Sequence, residues 1–417
     1  MIRRLLSNDF NKNVLKLITG TTMAQAIPIA IAPILTRIYT PEDFGLLALF
    51  IAIASILGSI ANGRYELAIV LPEKEEDSIN LAALSVLISS SLSIILLVIV
   101  LLFGSQLAIM LGNEDIEFWL YFIPMIVFFI GLFNVLNYLN TRMKNFGLIA
   151  KVKVIKSLAL VTCQLALGFL TPGSTGLIGG QLISHILANG KLAKEVVNDK
   201  KLISEINKKS IIIQAKRYIR FPKITLWATL SNSLSLNSMN IFISIMYSSS
   251  TLGFYSVVQK VLGMPTTLIS RSIGQVFFEK ANADRNRLGN AQECFKSTLL
   301  KLLVIGVCIF GPLFFVVEDL FTFVFGEEWT IAGEYARILI PLIFIRFIAT
   351  PLTLITIIFE KQNIDLIWQI LLLTLTLITF LIAWIFKLNV IDFLLVYILV
   401  LSVHYIVSII IAYNVSR

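Results

Sequence analysis

The sequence predicts an all-α polytopic membrane protein. It should have about 12 transmembrane helices in two pseudo-symmetric six-helix lobes around a central cavity. Three observations lead there: apolar blocks of bilayer length, basic residues confined to alternate loops, and a turn motif that recurs after 208 residues. Of the 417 residues, 57% are apolar and 14% charged, and the mean hydropathy is +0.87. Soluble chains carry roughly 25% charged residues, so the excess apolar surface must face lipid or other lipid-embedded helices. Leu81 to Phe103, Leu366 to Phe386 and Phe393 to Tyr413 contain no Asp, Glu, Lys or Arg. About 20 residues at 1.5 Å each cross a hydrocarbon core of about 30 Å. These blocks are too long, and alternate too little, for outer-membrane barrel strands.

The expected spans are 14–36, 44–71, 79–103, 117–139, 148–170, 175–193, 222–247, 252–278, 297–317, 331–358, 364–386 and 390–413. The start, MIRRLLSNDFNKN, is basic without a small-residue cleavage site, so it reads as a cytoplasmic lead-in and not as a signal peptide. With this register, 29 of the 34 Lys and Arg residues fall on one side. Basic loops stay cytoplasmic, which puts both termini in the cytoplasm and the protein in an inner, plasma or organelle membrane. The opposite loops, such as Thr171 to Thr175 and Ser248 to Gly253, are short and nearly uncharged. The net charge of +9 is thus a topology signal, not a nucleic-acid footprint.

The chain divides into an N-terminal six-helix lobe (1–193), a basic cytoplasmic linker (194–221) and a C-terminal six-helix lobe (222–417). The linker has two readings: a solvated connection, which is the simpler one, or an interfacial helix held by anionic lipid. The lobes look related. Tyr39-Thr-Pro-Glu-Asp-Phe-Gly45 falls on Tyr247-Ser-Ser-Ser-Thr-Leu-Gly253 after a shift of 208. Leu111-Gly112-Asn113-Glu114 before Pro124 echoes Phe325-Gly326-Glu327-Glu328 before Pro341. Six spans return the chain to the cytoplasm, so both lobes keep one orientation, as in parallel-repeat transporters.

No catalytic constellation is visible, and neither a Walker-type phosphate loop nor a paired-cysteine motif occurs. Cys163, Cys294 and Cys308 read as small apolar filler, and no metal or cofactor is expected. Charges inside the spans carry the information, because each costs at least about 2.5–3.5 kcal/mol at the bilayer centre. Arg64 and Glu66 stand in Gly63-Arg-Tyr-Glu66, and Arg271 occupies the equivalent place 207 residues later. Snorkelling to the inner surface is the competing explanation, but the apolar residues after each arginine favour a cavity. Lys260 and Arg346 are further embedded cations. Embedded acids are scarce, with Glu66 and Asp365 the candidates for ion coupling. The balance is cationic, and arginine forks suit phosphate. Amide and imidazole side chains also align on helix faces: Gln25 in the first span, His185 in the sixth, and Asn232, Asn237 and Asn240 in the seventh. Such stripes join helices or offer donors and acceptors to sugar hydroxyls.

Thr36-Arg-Ile-Tyr-Thr-Pro-Glu-Asp-Phe-Gly45, Gly63-Arg-Tyr-Glu-Leu-Ala68 and Phe325-Gly-Glu-Glu-Trp329 up to Pro341 resemble bacterial polysaccharide-repeat-unit flippases. These are the O-antigen, Wzx-type members of the multidrug/oligosaccharidyl-lipid/polysaccharide exporter superfamily. The resemblance runs from about residue 12 to the C-terminus. It implies alternating-access transfer of an undecaprenyl-pyrophosphate-linked oligosaccharide from the cytoplasmic to the periplasmic leaflet. It also implies membrane lipid, a polysaccharide polymerase and chain-length proteins as partners. The charged-cavity role passes to Arg64 and Arg271, with Lys260 and Arg346 behind them. A cation-coupled drug exporter of the same fold is the alternative, although it would want embedded carboxylates.

Overall fold

A computed structural model describes residues 9–171 and 173–417. The long helices, in chain order, are α1 (Asp9–Leu35), α2 (Pro41–Ser59), α3 (Glu75–Met110), α4 (Ile123–Arg142), α5 (Phe146–Leu170), α6 (Thr175–Asn198), α7 (Lys208–Arg217), α8 (Leu226–Met246), α9 (Ser249–Pro265), α10 (Arg271–Leu288), α11 (Gln292–Phe325), α12 (Thr330–Leu352), α13 (Gln362–Phe386) and α14 (Val390–Val415). The remaining regular pieces are short helical turns, and no strand occurs among the described residues. The chain is an all-α, multi-pass membrane protein. By length and composition, α2, α3, α4, α11, α12, α13 and α14 are long and apolar enough to cross a membrane. The other segments of the twelve-span reading are α1, α5, α6, α8 and the α9–α10 pair. They are more polar because they carry the amide stripes and several of the embedded cations.

The chain forms two compact units, one reaching Ile245 and the other spanning Met246–Arg417. The first holds α1 to α8. In it α1, α5 and α6 pack side by side, and α3 and α4 form a second layer with α2 and α6. Tyr39 locks the first group: its hydroxyl donates to the Gln164 carbonyl at 2.6 Å. The space for that phenol exists only because position 176 is glycine, where a Cβ would lie 1.9 Å from the Tyr39 oxygen. Near the end of α8, Ser244 donates to the Leu111 carbonyl at 2.9 Å. Gly112 makes this approach possible, with φ of +69° and the Ser244 carbonyl 2.7 Å from where its Cβ would stand. In the second unit α12 is central and packs against α9, α10, α11 and α14. Its entry is set by Trp329, fully buried and edge-on to Phe254 at 5.7 Å.

The repeated motif is a repeated helix start. Thr40 caps α2 by accepting from the Asp43 amide, with Asp43 returning a bond to the Thr40 amide. Ser248, at 40 plus 208, caps α9 by accepting from the Thr251 amide. Both caps are extended, so each satisfies a free N–H of the first turn. The third helix of each half is the long one, 36 and 34 residues. Each is followed by a positive-φ glycine, Gly112 and Gly326, and a single 3-10 turn, Glu114–Ile116 and Glu327–Trp329.

Two sequence expectations need correction, and a third gains detail. The second span is not one helix over 44–71. It ends at Ser59, and a turn through Gly63 and Arg64 leads into a 3-10 turn at Tyr65–Val70. Lys151, Lys153 and Lys156, counted among the 29 basic residues of the cytoplasmic side, lie inside the fifth span. Between α4 and α5 the chain turns within Met143–Asn145, and all three lysines lie inside α5. The segment 194–221 keeps most of its side chains exposed but is hydrogen-bonded to the first unit. Asn80 donates to the Glu205 carbonyl and accepts from the Asn207 amide, both at 2.9 Å. Gln214 donates to Asp77 at 2.5 Å, and Tyr65 donates to the Ala215 carbonyl at 2.9 Å.

Candidate functional site

Arg64 is committed to a carboxylate. Its guanidinium meets Glu66 at 3.0 Å, with side-chain exposures of 20% and 2%. The backbone at Arg64 is left-handed, φ +64° and ψ 9°, directly after left-handed Gly63. A non-glycine residue pays sterically for that conformation, and the turn folds the arginine back onto its own 3-10 turn. The pair does not saturate its surroundings. Arg64 Nε, Glu66 Oε2, Asn62 Oδ1 and Asn137 Oδ1 are buried without a hydrogen-bond partner.

Uncompensated cations of the first unit are on α5. Lys156, half-buried, has its Nζ 2.8 Å from His185 Nε2 and 3.4 Å from Nδ1. Its ammonium also lies 5.0 Å from the Phe133 ring centre. One turn earlier, Lys153 donates to Thr21 on α1 at 3.2 Å. Next to it Ser157 donates to the Ala24 carbonyl at 2.5 Å. Gln25 is exposed on the same stretch of α1. Neither lysine has a carboxylate within ion-pair distance among the described residues. Lys156 is ten residues, or about 15 Å, into α5. His185 was expected from the sequence; Lys153 and Lys156 were counted only with the cytoplasmic basic residues. Asn145 immediately before Phe146 is the signal that could have placed them in the helix.

In the second unit, Arg346 is half-buried on α12 between Pro341 and Pro351. It interacts electrostatically with Tyr405, Tyr397 and Tyr255. Tyr255 accepts from Gln259 at 2.8 Å and is hydrogen-bonded to Tyr397. Lys260 is exposed on α9, beside Gln259. Neither cation has a carboxylate in ion-pair reach among the described residues. On α8, Asn232 is exposed, and Asn237 and Asn240 are half-buried; Asn237 bonds back to the Ser233 carbonyl. Arg271 opens α10 and Asp365 lies in the first turn of α13, but their side chains lie outside the described residues. No group of three or more metal-ligating side chains occurs among the described residues.

Residues 34–333 match a family described as polysaccharide biosynthesis protein. No curated protein matches the chain in sequence. Solved structures match it across nearly its whole length. The lipid II flippase MurJ in an inward closed conformation has a TM-score of 0.69 at 15% identity, covering 96% of this chain and 86% of that one. An inward-facing multidrug resistance MATE family transporter of the MOP superfamily has a TM-score of 0.64 at 15% identity, covering 96% and 93%. A MOP superfamily transporter from Pyrococcus furiosus, described by the reverse polarity of its binding pocket, has a TM-score of 0.60 at 16% identity, covering 98% and 96%. At these identities the likeness is one of fold.

Proposed function

We propose, from the premise that the chain belongs to the polysaccharide biosynthesis protein family, that it is a flippase for undecaprenyl-pyrophosphate-linked oligosaccharide, an O-antigen or similar repeat unit. It would carry the head group from the cytoplasmic to the periplasmic leaflet of a bacterial inner membrane by alternating access, with both termini cytoplasmic. The observation that carries this reading is the set of span-borne cations without carboxylate partners, Lys153 and Lys156 in one unit and Lys260 and Arg346 in the other. At about 2.5–3.5 kcal/mol each, such charges are costly unless an anion meets them. A diphosphate is such an anion, and Arg346 offers it a planar fork. Gln25, Asn232, Asn237 and Asn240 would meet sugar hydroxyls. Arg271 keeps its phosphate role by its place in the repeat, and Glu66 and Asp365 remain the coupling candidates. An inside-negative potential favours anion export by about 2.3 kcal/mol per charge per 100 mV.

The chemistry asked of this chain is binding and release, not bond making, so the reading is a transporter and not an enzyme. A polysaccharide polymerase and chain-length proteins would act on what it delivers. A drug exporter for cations fits less well, because the buried carboxylate Glu66 is already neutralised by Arg64. The test is surface glycan display in a strain lacking the native protein, complemented with variants at matched membrane levels. Lys156→Ala and Arg346→Ala should each lose display, and Arg346→Lys should restore it only in part. Full display from both alanine variants would refute the reading.

A further inference from the structure

The segment between α6 and α8 has a surface that the transport reading leaves unused. Helix α7 has the sequence KKSIIIQAKR, without a single acid. One side of it is buried: Gln214 faces Asp77, and Tyr65 reaches the Ala215 carbonyl. At 100° per residue, the opposite side collects Lys208, Lys209, Ile212, Ile213, Lys216 and Arg217, all exposed. Ile212 and Ile213 retain 46% and 60% of their surface. Four cations interleaved with two isoleucines is an unusual face to leave in bulk water, and it matches an anionic surface with an apolar layer beneath it.

The depth of the helix follows from its anchors. Helix α3 carries no charge after Asp77, and its apolar block begins at Leu81, just past Asn80, which marks the inner edge of the hydrocarbon. Asn80, which binds Asn207, is one residue outside that edge, and Asp77, which binds Gln214, is four. At 1.5 Å per residue these anchors lie about 1.5 Å and about 6 Å beyond the apolar block. The headgroup layer is roughly 5–8 Å thick on each side, so α7 is held at its level. The chain then returns to the membrane through Ile224 and Trp227, exposed by 66% and 63%. An exposed tryptophan at a span entrance is an interfacial anchor.

We propose that α7 is an interfacial helix that binds anionic phospholipid headgroups of the inner leaflet through Lys208, Lys209, Lys216 and Arg217. Ile212 and Ile213 enter the upper acyl boundary. This part of the first unit is thereby tied to the bilayer surface as well as to α3. This rests on the multi-pass membrane fold and is independent of what is transported.

The test places an environment-sensitive fluorophore on Ile213→Cys in the full-length protein, reconstituted into vesicles of phosphatidylcholine with or without phosphatidylglycerol. The signal is read against the same protein without the added cysteine, because Cys308 is itself exposed. The expected result is a blue-shifted emission, quenched by lipid-borne quenchers, in phosphatidylglycerol vesicles only. High salt should reverse it, which requires no further substitution, and so should K208Q/K209Q/K216Q/R217Q. Emission open to aqueous iodide and indifferent to lipid charge would overturn the proposal in favour of a cytosol-facing helix. Protection from both aqueous and lipid-borne quenchers would overturn it in favour of a protein contact.

Discussion

Removing Glu66 should destabilise the protein through the charge it leaves behind. Glu66 is 2% exposed and meets Arg64 at 3.0 Å, while Arg64 keeps a fifth of its side chain in contact with solvent. Breaking a buried ion pair from one side costs about 3–5 kcal/mol. The partial exposure of Arg64 places Glu66→Ala near the lower end, about 3 kcal/mol by that scale. Glu66→Gln keeps an oxygen acceptor and loses only the difference between a charged and a neutral hydrogen bond, about 1–1.5 kcal/mol. Arg64→Gly relieves a left-handed non-glycine residue, a gain of about 1–2 kcal/mol, but strands the carboxylate. Adding Glu66→Gln to Arg64→Gly should therefore recover stability. Unfolding of the purified protein in detergent, followed by tryptophan fluorescence across the four variants, gives the coupling energy directly. Glu66→Ala unfolding with the parent protein, together with zero coupling between the two positions, would refute the argument.

Gly176→Ala should also be destabilising, because its Cβ would stand 1.9 Å from the Tyr39 oxygen. Overpacking costs about 1–3 kcal/mol, and Tyr39→Phe should relieve part of it in the same unfolding assay. The basic bias leads to a topology prediction: a reporter fused after Arg417 should be cytoplasmic and one inserted at Gly173 to Thr175 periplasmic. Both reporters on one side would end the twelve-span register.

The sequence by itself determined the all-α membrane class, because a run of apolar residues at bilayer length has few other uses. It also exposed the turn repeat, since Thr40 and Ser248 act locally, through bonds to residues three positions on. His185 and Arg346 were legible as embedded polar groups because apolar sequence surrounds them on both sides. Tertiary structure decided which cations are free. The partner of Arg64 lies two residues away, but only the left-handed turn at Gly63 and Arg64 brings the carboxylate onto the guanidinium. Lys153 and Lys156 counted as cytoplasmic charges near a span end, and the three-residue turn at Met143–Asn145 sets them well inside α5. The segment 194–221 reads as a connection because its composition is polar, and its anchors are not visible in the sequence. Asn80, Asp77 and Tyr65, more than 120 residues earlier in the chain, hold it. Local bonds and bilayer length can be read along a chain, whereas pairing across such distances depends on how the helices pack.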